Sequence, residues 1–188
     1  MFVVGDEEAL SRKESFLLRK LRAEYTPELL RRVLLPLLDQ SSPVSLRVLD
    51  WAVVNWSKQH NVVCSSQTPG QMVHVHEAYR NALMFWKRRL FDPFRRRGRM
   101  QVVIDGAPYE TTLGQANFAL FIYQTGILAY VLHHLDEIEA DMNAVSQKQK
   151  QARRQAAKEG RRKPRTELTR KSSLPCIVYT SPVTFKFD

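Results

Sequence analysis

The sequence is poor in the residues on which disulfide-rich and nucleotide-cradling proteins depend. Its two cysteines, Cys64 and Cys176, lie far apart and do not make the framework of a small secreted domain, which favours a reducing compartment. Seven glycines leave little room for loops that cradle phosphates. The sequence has no Walker A, dinucleotide-binding or nucleophile-elbow motif. These absences argue against the commonest nucleotide-dependent and nucleophilic enzymes.

Long apolar runs and targeting signals are also scarce. Residues 116–132 are uncharged over 17 positions, which falls short of the about 20 apolar residues that span a bilayer. The stretch contains Gly126, which suits the left-handed position at a helix end. It therefore predicts two buried helices that meet at a turn, and no membrane partner. The first eight residues lack the basic and apolar regions of a signal peptide, so we expect a protein that is not secreted.

Positive charge is abundant and is concentrated near the C-terminus. The net charge is +10 and the isoelectric point is about 9.9. We call residues 148–173 the basic arm; its eleven Lys and Arg face two Glu, a net +9 that leaves +1 for the rest of the chain. The arm has almost no large apolar residue, so it cannot fold around a core of its own. Its composition suits salt-dependent contact with phosphates, but equally a solvated linker, a nuclear localisation signal or a docking arm for an acidic protein.

A second basic cluster lies between Lys87 and Arg99, where seven Lys and Arg face one Asp, a net charge of +6. The first three cations are predicted in the last turn of a helix, where positive charge complements the helix dipole. The other four fall between that helix and a hairpin, and a rigid loop of guanidinium groups suits phosphate or carboxylate. They are Arg95, Arg96, Arg97 and Arg99.

Apolar periodicity and capping residues predict a mainly α-helical fold with a single helical domain. The predicted helices run from Glu7 to Glu24, from Thr26-Pro27 to Leu38 with a kink or end at Pro36, from Ser42-Pro43 through Trp56, from Val75 to Leu90, from Thr111 or Thr112 to Gln124, and from Ile127 to about Val145.

Three short segments predict β-structure. Asp105-Gly106 is a favoured two-residue turn, so residues 100–104 and 107–110 are predicted to form a hairpin. Residues 61–70 predict a short extended piece and a loop. Residues 174–188 predict a C-terminal strand, which would pair with this hairpin or with another copy of the chain. The predicted organisation is a helical domain over 1–147, the basic arm over 148–173 and a strand segment over 174–188.

Histidine pairs and acidic residues raise the alternative of a metal-dependent enzyme. His74 and His76 stand at strand spacing, and carboxylates are available between Asp136 and Asp141, but no second ligand set has a diagnostic spacing. We therefore predict no metal, no cofactor and no catalytic residue. Residues 111–142 have the length and central glycine of a helix-turn-helix, but their acidic second helix would repel phosphates, which favours core structure.

Two segments carry a family resemblance, Phe-Asp-Pro-Phe-Arg-Arg at 91–96 and Thr-Thr-Leu-Gly-Gln-Ala-Asn-Phe at 111–118. With Asp50-Trp51 and the predicted helix at 79–87, they resemble a group of small uncharacterised basic proteins of large nucleocytoplasmic DNA viruses. The resemblance covers about residues 50–142, the basic stretch and the closing segment at 183–188. It departs at Ala116 and Ala119, where the pattern has large residues, so the packing there is expected to differ. It implies a viral setting and a virion-associated protein, and it names no substrate.

These observations predict a non-catalytic nucleic-acid-binding protein, associated with DNA rather than RNA, in the virion or in the nucleus or cytoplasm of an infected cell. The alternative is a structural virion component, a minor capsid or tegument-like protein whose arm docks acidic protein partners. The predicted phosphate-binding residues are Arg88, Arg89, Arg95, Arg96, Arg97, Arg99, Lys148, Lys150, Arg153, Arg154, Lys158, Arg161, Arg162, Lys163, Arg165, Arg170 and Lys171.

Overall fold

The computed structural model describes residues 1–5 and 7–158, which form mostly helices with two small β-sheets. The mainly α-helical fold predicted from the sequence is confirmed in this coarse form. The chain divides into two units, Met1–Gln147 and Lys148–Asp188. Residues 159–173 of the basic arm and the strand predicted at 174–188 lie outside the described residues.

The elements of the described residues are numbered in chain order. The helices are α1 (Arg12–Glu24), α2 (27–38), α3 (46–60), α4 (Val75–Leu90), α5 (Leu113–Gln124), α6 (Ile127–His133) and α7 (Leu135–Lys158). Within α2 and α3 lie the π-helical stretches Leu30–Leu34 and Ala52–Trp56. The strands are β1 (Phe2–Val3), β2 (Val63–Ser65), β3 (Met72–His74), β4 (Arg99–Ile104) and β5 (Ala107–Thr112).

A capping box fixes the start of α1. The helix begins at Arg12 and not at Glu7, so the predicted start was wrong. The backbone N–H of Ser11 donates to Glu14 Oε2 at 3.0 Å, and the Ser11 hydroxyl accepts from the Glu14 N–H at 3.4 Å. These reciprocal bonds satisfy two amides that the helix itself leaves unpaired, and they end the extended chain before it.

The predicted start of α2 is confirmed, and its proline is accommodated within the helix. Thr26 Oγ1 accepts a hydrogen bond from the Leu29 N–H at 3.2 Å. Pro36 has no N–H to donate and its ring crowds the preceding turn. The backbone N–H of Leu35 reaches the carbonyl of Leu30, five residues earlier, so a wider π turn directly precedes the proline. The helix then continues to residue 38.

The helix α3 begins later than predicted. Ser45 caps it, since its hydroxyl accepts from the Val48 N–H at 3.3 Å, and the helix therefore starts at Leu46 rather than at Ser42-Pro43. Apolar residues at spacings of three and four form one face of this helix, on which Leu49, Val53 and Trp56 are buried and Leu46 is half-buried.

The larger sheet has the strand order β1-β4-β5. The predicted hairpin of β4 and β5 is confirmed, and its turn residues Asp105 and Gly106 have φ angles of 50° and 82°. In β1, Phe2 lies opposite Val102 of β4. A second hairpin pairs β2 with β3; the sequence predicted one extended piece there, because strands of three residues are too short to show alternation.

The helix α5 is buried along most of its length, with Phe118, Leu120 and Ile122 fully enclosed. It ends at Gln124 as predicted, and α6 leaves it at an angle of 76°. The predicted pair of helices that meet at a turn is thus confirmed, but α6 is buried only at Ile127 and Val131 and exposes Leu132. In the part of the chain that the structure describes, no single helix is long and apolar enough to cross a membrane, although the bent pair α5 and α6 together has the length and composition to do so.

The predicted continuous helix from Ile127 to about Val145 is interrupted at His134. This residue has φ −112° and ψ 26°, and it separates α6 from α7. Its ring lies 4.4 Å from that of Tyr130, and its Nδ1 lies 3.5 Å from Glu137. Because histidine is a weak helix former, such side-chain contacts can hold the backbone away from regular helix geometry.

Replacing Gly126 with alanine should destabilise the protein strongly. The new residue would keep a left-handed φ of 72°, and its Cβ would lie 2.1 Å from the carbonyl oxygen of Ser65. The free energy of unfolding in urea should fall by more than about 2 kcal/mol. Gly98→Ala is the control, since its φ is 70° but nothing lies within 4 Å of the added Cβ. Equal losses in the two variants would contradict the close approach to Ser65.

Candidate nucleic-acid interface

The second basic cluster begins where α4 is interrupted. Lys87, Arg88 and Arg89 lie in the last turn of α4 as predicted, but Lys87 has φ 59° and ψ 162°, so the helix is kinked there. Beside the break, Lys13 Nζ of α1 donates to the carbonyl oxygen of Phe85. Because of this kink, the three cations do not lie on one regular helical turn.

The start of α5 holds the loop that follows α4. Asn117 Nδ2 donates to the carbonyl oxygen of Leu90 at 2.8 Å in a buried setting. Gln115 Nε2 donates to the carbonyl oxygen of Pro93 at 3.0 Å. The two segments that carry the family resemblance are therefore in direct contact, although they lie about twenty residues apart in the sequence.

The backbone of this loop runs close over the first turn of α5. A Cβ on Gly114 would lie 3.3 Å from the carbonyl oxygen of Asp92, so a larger residue there would push the loop away. The Asp92 side chain shapes the turn, because its Oδ1 accepts from the Phe94 N–H at 2.8 Å. The Arg95 N–H is directed to the Asp92 carbonyl oxygen at 3.4 Å. The backbone that leads into residues 95–99 is thus held by its contact with α5 and by the turn at Asp92.

We call residues 94–99 the arginine loop. Two of its side chains are used to close the loop: Arg95 Nε donates to the carbonyl oxygen of Arg97 at 3.1 Å, and Arg99 Nε to that of Arg96 at 3.2 Å. Arg99 also forms an ion pair with Glu110 across the hairpin. Within the described residues, the exposed guanidinium groups of Arg96 and Arg97 have no hydrogen bond or ion pair. They remain available to an external anion.

The structure brings together only some of the predicted phosphate-binding residues. The arginine loop contains Arg95, Arg96, Arg97 and Arg99, whereas Arg89 Nη2 lies 2.5 Å from Glu14 Oε1 in an ion pair with α1. On α7, the exposed cations of the arm are Lys148, Lys150, Arg153 and Arg154, and the helix backbone reaches Lys158. Arg161, Arg162, Lys163, Arg165, Arg170 and Lys171 lie outside the described residues, so their role stays a prediction.

A cleft of about 220 Å³ beside the arginine loop was not predicted as a site. Its walls come from α3, α4 and the loop after α4, through Asp50, Tyr79, Arg88, Asp92 and Phe94. The sequence held a signal, because Asp50 and the segment that starts at Tyr79 carry part of the family resemblance. The spacing of these residues in the sequence does not show that they meet, so the sequence alone did not predict a site here.

Polar groups in this cleft are held in unfavourable surroundings. Burial raises the pKa of Asp50, the negative charge of Asp92 raises it further, and Arg88 opposes both. Burial also raises the pKa of Tyr79, and the charge of Asp50 adds to that effect. Among the described residues, no hydrogen bond or ion pair engages the Asp50 carboxylate or the Arg88 guanidinium. Unpaired groups with perturbed pKa values in a cleft are typical of binding sites.

The residues of the alternative metal site do not assemble in the described part of the chain. There, no group of three or more His, Cys, Asp and Glu side chains is placed to hold a metal ion. Nδ1 of His76 is buried without a hydrogen-bond partner, and His74 is exposed at the end of β3. Asp141 instead accepts a hydrogen bond from Trp51 Nε1 at 2.8 Å, which ties α7 to α3.

Comparison with known proteins assigns the chain to a family. A family model matches residues 6–183, and the protein therefore belongs to this family of unknown function, DUF7197. The chain is also similar to an uncharacterised protein of Acanthamoeba polyphaga mimivirus, with 32% identity over 126 residues. That match covers 63% of this chain and 49% of the relative, so it spans about half of the viral protein. The predicted resemblance to uncharacterised proteins of giant viruses is confirmed to this extent. No solved structure matches the chain.

Asn117→Ala should loosen the loop and destabilise the folded unit. The substitution leaves the buried carbonyl of Leu90 without its donor, which costs about 1–3 kcal/mol of unfolding free energy. Asn143→Ala, at an exposed position of α7, is the control and should change stability by less than about 0.5 kcal/mol. Urea unfolding monitored by tryptophan fluorescence measures both. An Asn117 variant as stable as the control would show that the loop is held by other contacts.

Asp50→Asn should stabilise the protein at neutral pH. The folded-state pKa of Asp50 lies above its unfolded value, so ionisation weakens folding as the pH rises through the unfolded pKa toward the folded one. The variant should have the higher Tm at about pH 7, and the difference should vanish at about pH 3, near and below the unfolded pKa of about 3.9. Asp136→Asn, at an exposed position of α7, is the control. A lower Tm for Asp50→Asn at neutral pH would contradict an unfavourable carboxylate.

Proposed function

We propose that this protein is a non-catalytic nucleic-acid-binding protein that associates with DNA in the virion or in the infected cell. The observation that supports the proposal most is the pair of exposed, unpaired guanidinium groups of Arg96 and Arg97 on a loop held by the rest of the fold. The similarity to a mimivirus protein is consistent with a viral setting.

The construction of the arginine loop suits phosphate oxygens. A guanidinium group donates through a planar fork that matches phosphate, and it stays charged at every physiological pH. The loop backbone is held by Gln115 and by the turn at Asp92, so binding would order the two free arginine side chains but not the chain beneath them. Side-chain and loop ordering weakens association, and a preformed loop avoids part of that penalty.

The basic arm would supply affinity without reading sequence. Its net charge of +9 attracts a polyanion over a distance, and each phosphate it neutralises releases condensed counterions. Contacts of this kind position a protein on the phosphate backbone and carry no base information. The arm would therefore supply affinity, and the arginine loop would hold the phosphate backbone of the nucleic acid in a fixed position.

The double variant Arg96→Ala/Arg97→Ala should bind duplex DNA more weakly and with a smaller salt dependence. Each lost phosphate contact reduces the slope of log K against log salt by about 0.9, so the slope should fall by about 1.8. Fluorescence anisotropy of the full-length protein with a labelled DNA duplex across a salt series measures both quantities. The weakening should be similar for duplexes of unrelated sequence.

The matched control is Arg19→Ala/Arg32→Ala, which removes the same charge from exposed positions of α1 and α2. If this control lowers the slope as much as the loop variant, total charge is sufficient and the loop has no special role. If the full-length protein binds neither DNA nor RNA at low salt, the proposed function is wrong. The arm would then serve an acidic protein partner, as in a structural virion component.

A further inference from the structure

The cleft beside the arginine loop combines an aromatic surface with unpaired polar groups. Phe94 is 50% exposed at its rim, while Phe91 below it is buried in the core and lies 5.7 Å from the ring of Tyr79. The carboxylate of Asp50 and the guanidinium of Arg88 form no hydrogen bond or ion pair among the described residues. The half-buried carboxylate of Asp50 costs folding free energy unless a ligand pairs with it, whereas the exposed Arg88 is hydrated and free to engage one.

The dimensions and chemistry of the cleft match one planar heterocycle. Its volume of about 220 Å³ is below the range of about 300–1,000 Å³ of pockets for drug-sized ligands. A half-exposed phenylalanine offers a face on which a base can stack. Asp50 is an acceptor and seeks an N–H donor, whereas Arg88 is a donor and seeks a carbonyl, a ring nitrogen or a phosphate.

The charge around the cleft decides between a base and an amine. Two carboxylates and an aromatic ring would also suit an ammonium group, such as that of a lysine or a polyamine. The same cleft, however, is lined by Arg88, and its rim residue Phe94 begins the arginine loop, whose positive charge repels a cation and attracts an anion. A nucleotide has both required features, since its phosphate is anionic and the edge of its base presents N–H donors.

We propose that the cleft takes one unpaired nucleobase that carries an exocyclic amino group, from a single strand whose phosphates lie on the arginine loop. The base stacks on Phe94 and donates its amino group to Asp50, while Arg88 reaches an acceptor of the same nucleotide. The inference rests on the proposed function and adds to it a preference for single-stranded over duplex nucleic acid, because a paired base cannot leave its stack without a penalty.

The test compares three short DNA strands of equal length in binding to the full-length protein at about pH 7.5, by fluorescence anisotropy. One strand is all cytosine, one is all thymine, which lacks the exocyclic amino group, and one is abasic and keeps every phosphate. The cytosine strand should bind about 5- to 50-fold more tightly than the abasic strand. Phe94→Ala should abolish most of that difference, and Asp50→Ala, which removes the acceptor, should remove the preference for cytosine over thymine.

Phe85→Ala is the matched control, since Phe85 is 56% exposed on α4 and does not line the cleft, and it should leave all three affinities unchanged. Equal binding of the abasic and cytosine strands would overturn the inference and leave the phosphate-binding function intact. Binding of no strand at low salt would overturn both. Competition by spermidine that Phe94→Ala abolishes would also overturn the inference and would assign the cleft to amines.

Discussion

The buried hydrogen bond from Asn117 to the carbonyl of Leu90 is the contact on which the position of the arginine loop depends. A carbonyl at the end of a helix has no partner within that helix, and leaving it unpaired in the core costs as much as a lost hydrogen bond. Because Asn117 lies on a helix enclosed by the core, the loop inherits the rigidity of the core itself. Gly114 completes the arrangement by letting the two backbones approach closely.

The charges of the folded unit fall into two groups with different consequences. Arg89 with Glu14 and Arg99 with Glu110 are paired at the surface, where each pair contributes about 0–1 kcal/mol and holds the loop in place. Asp50 lies with a second carboxylate in a cleft that burial makes unfavourable for a negative charge. The surface ion pairs support the fold, whereas the carboxylates in the cleft do not stabilise it. The proposed binding role would account for groups that stability alone would not retain.

Local features were predictable from the sequence, and features that join distant segments were not. Thr26 as a helix cap and Gly126 as a left-handed helix end depend on a few adjacent residues, and both were predicted. The pairing of Arg89 with Glu14 spans 75 residues, and no periodicity reports a contact of that kind. The cleft is harder still, since Asp50 meets its other walls only after three segments have packed. The two π-helical stretches also escaped prediction, because the same apolar residues fit a regular helix.

The break at Lys87 connects the backbone of this region to its chemistry. A lysine at φ 59° and ψ 162° is strained by about 1–3 kcal/mol, and such strain persists only where the surrounding contacts enforce it. Here the break sends Arg88 to the cleft and Arg89 to Glu14, whereas a regular helix would place them on one continuing turn. The carbonyl of Phe85, beside the break, receives a side-chain donor from α1. The chain thus accepts strain at one residue and gains an arginine positioned at the junction between the cleft and the arginine loop, where a nucleotide would present its base and its phosphate together.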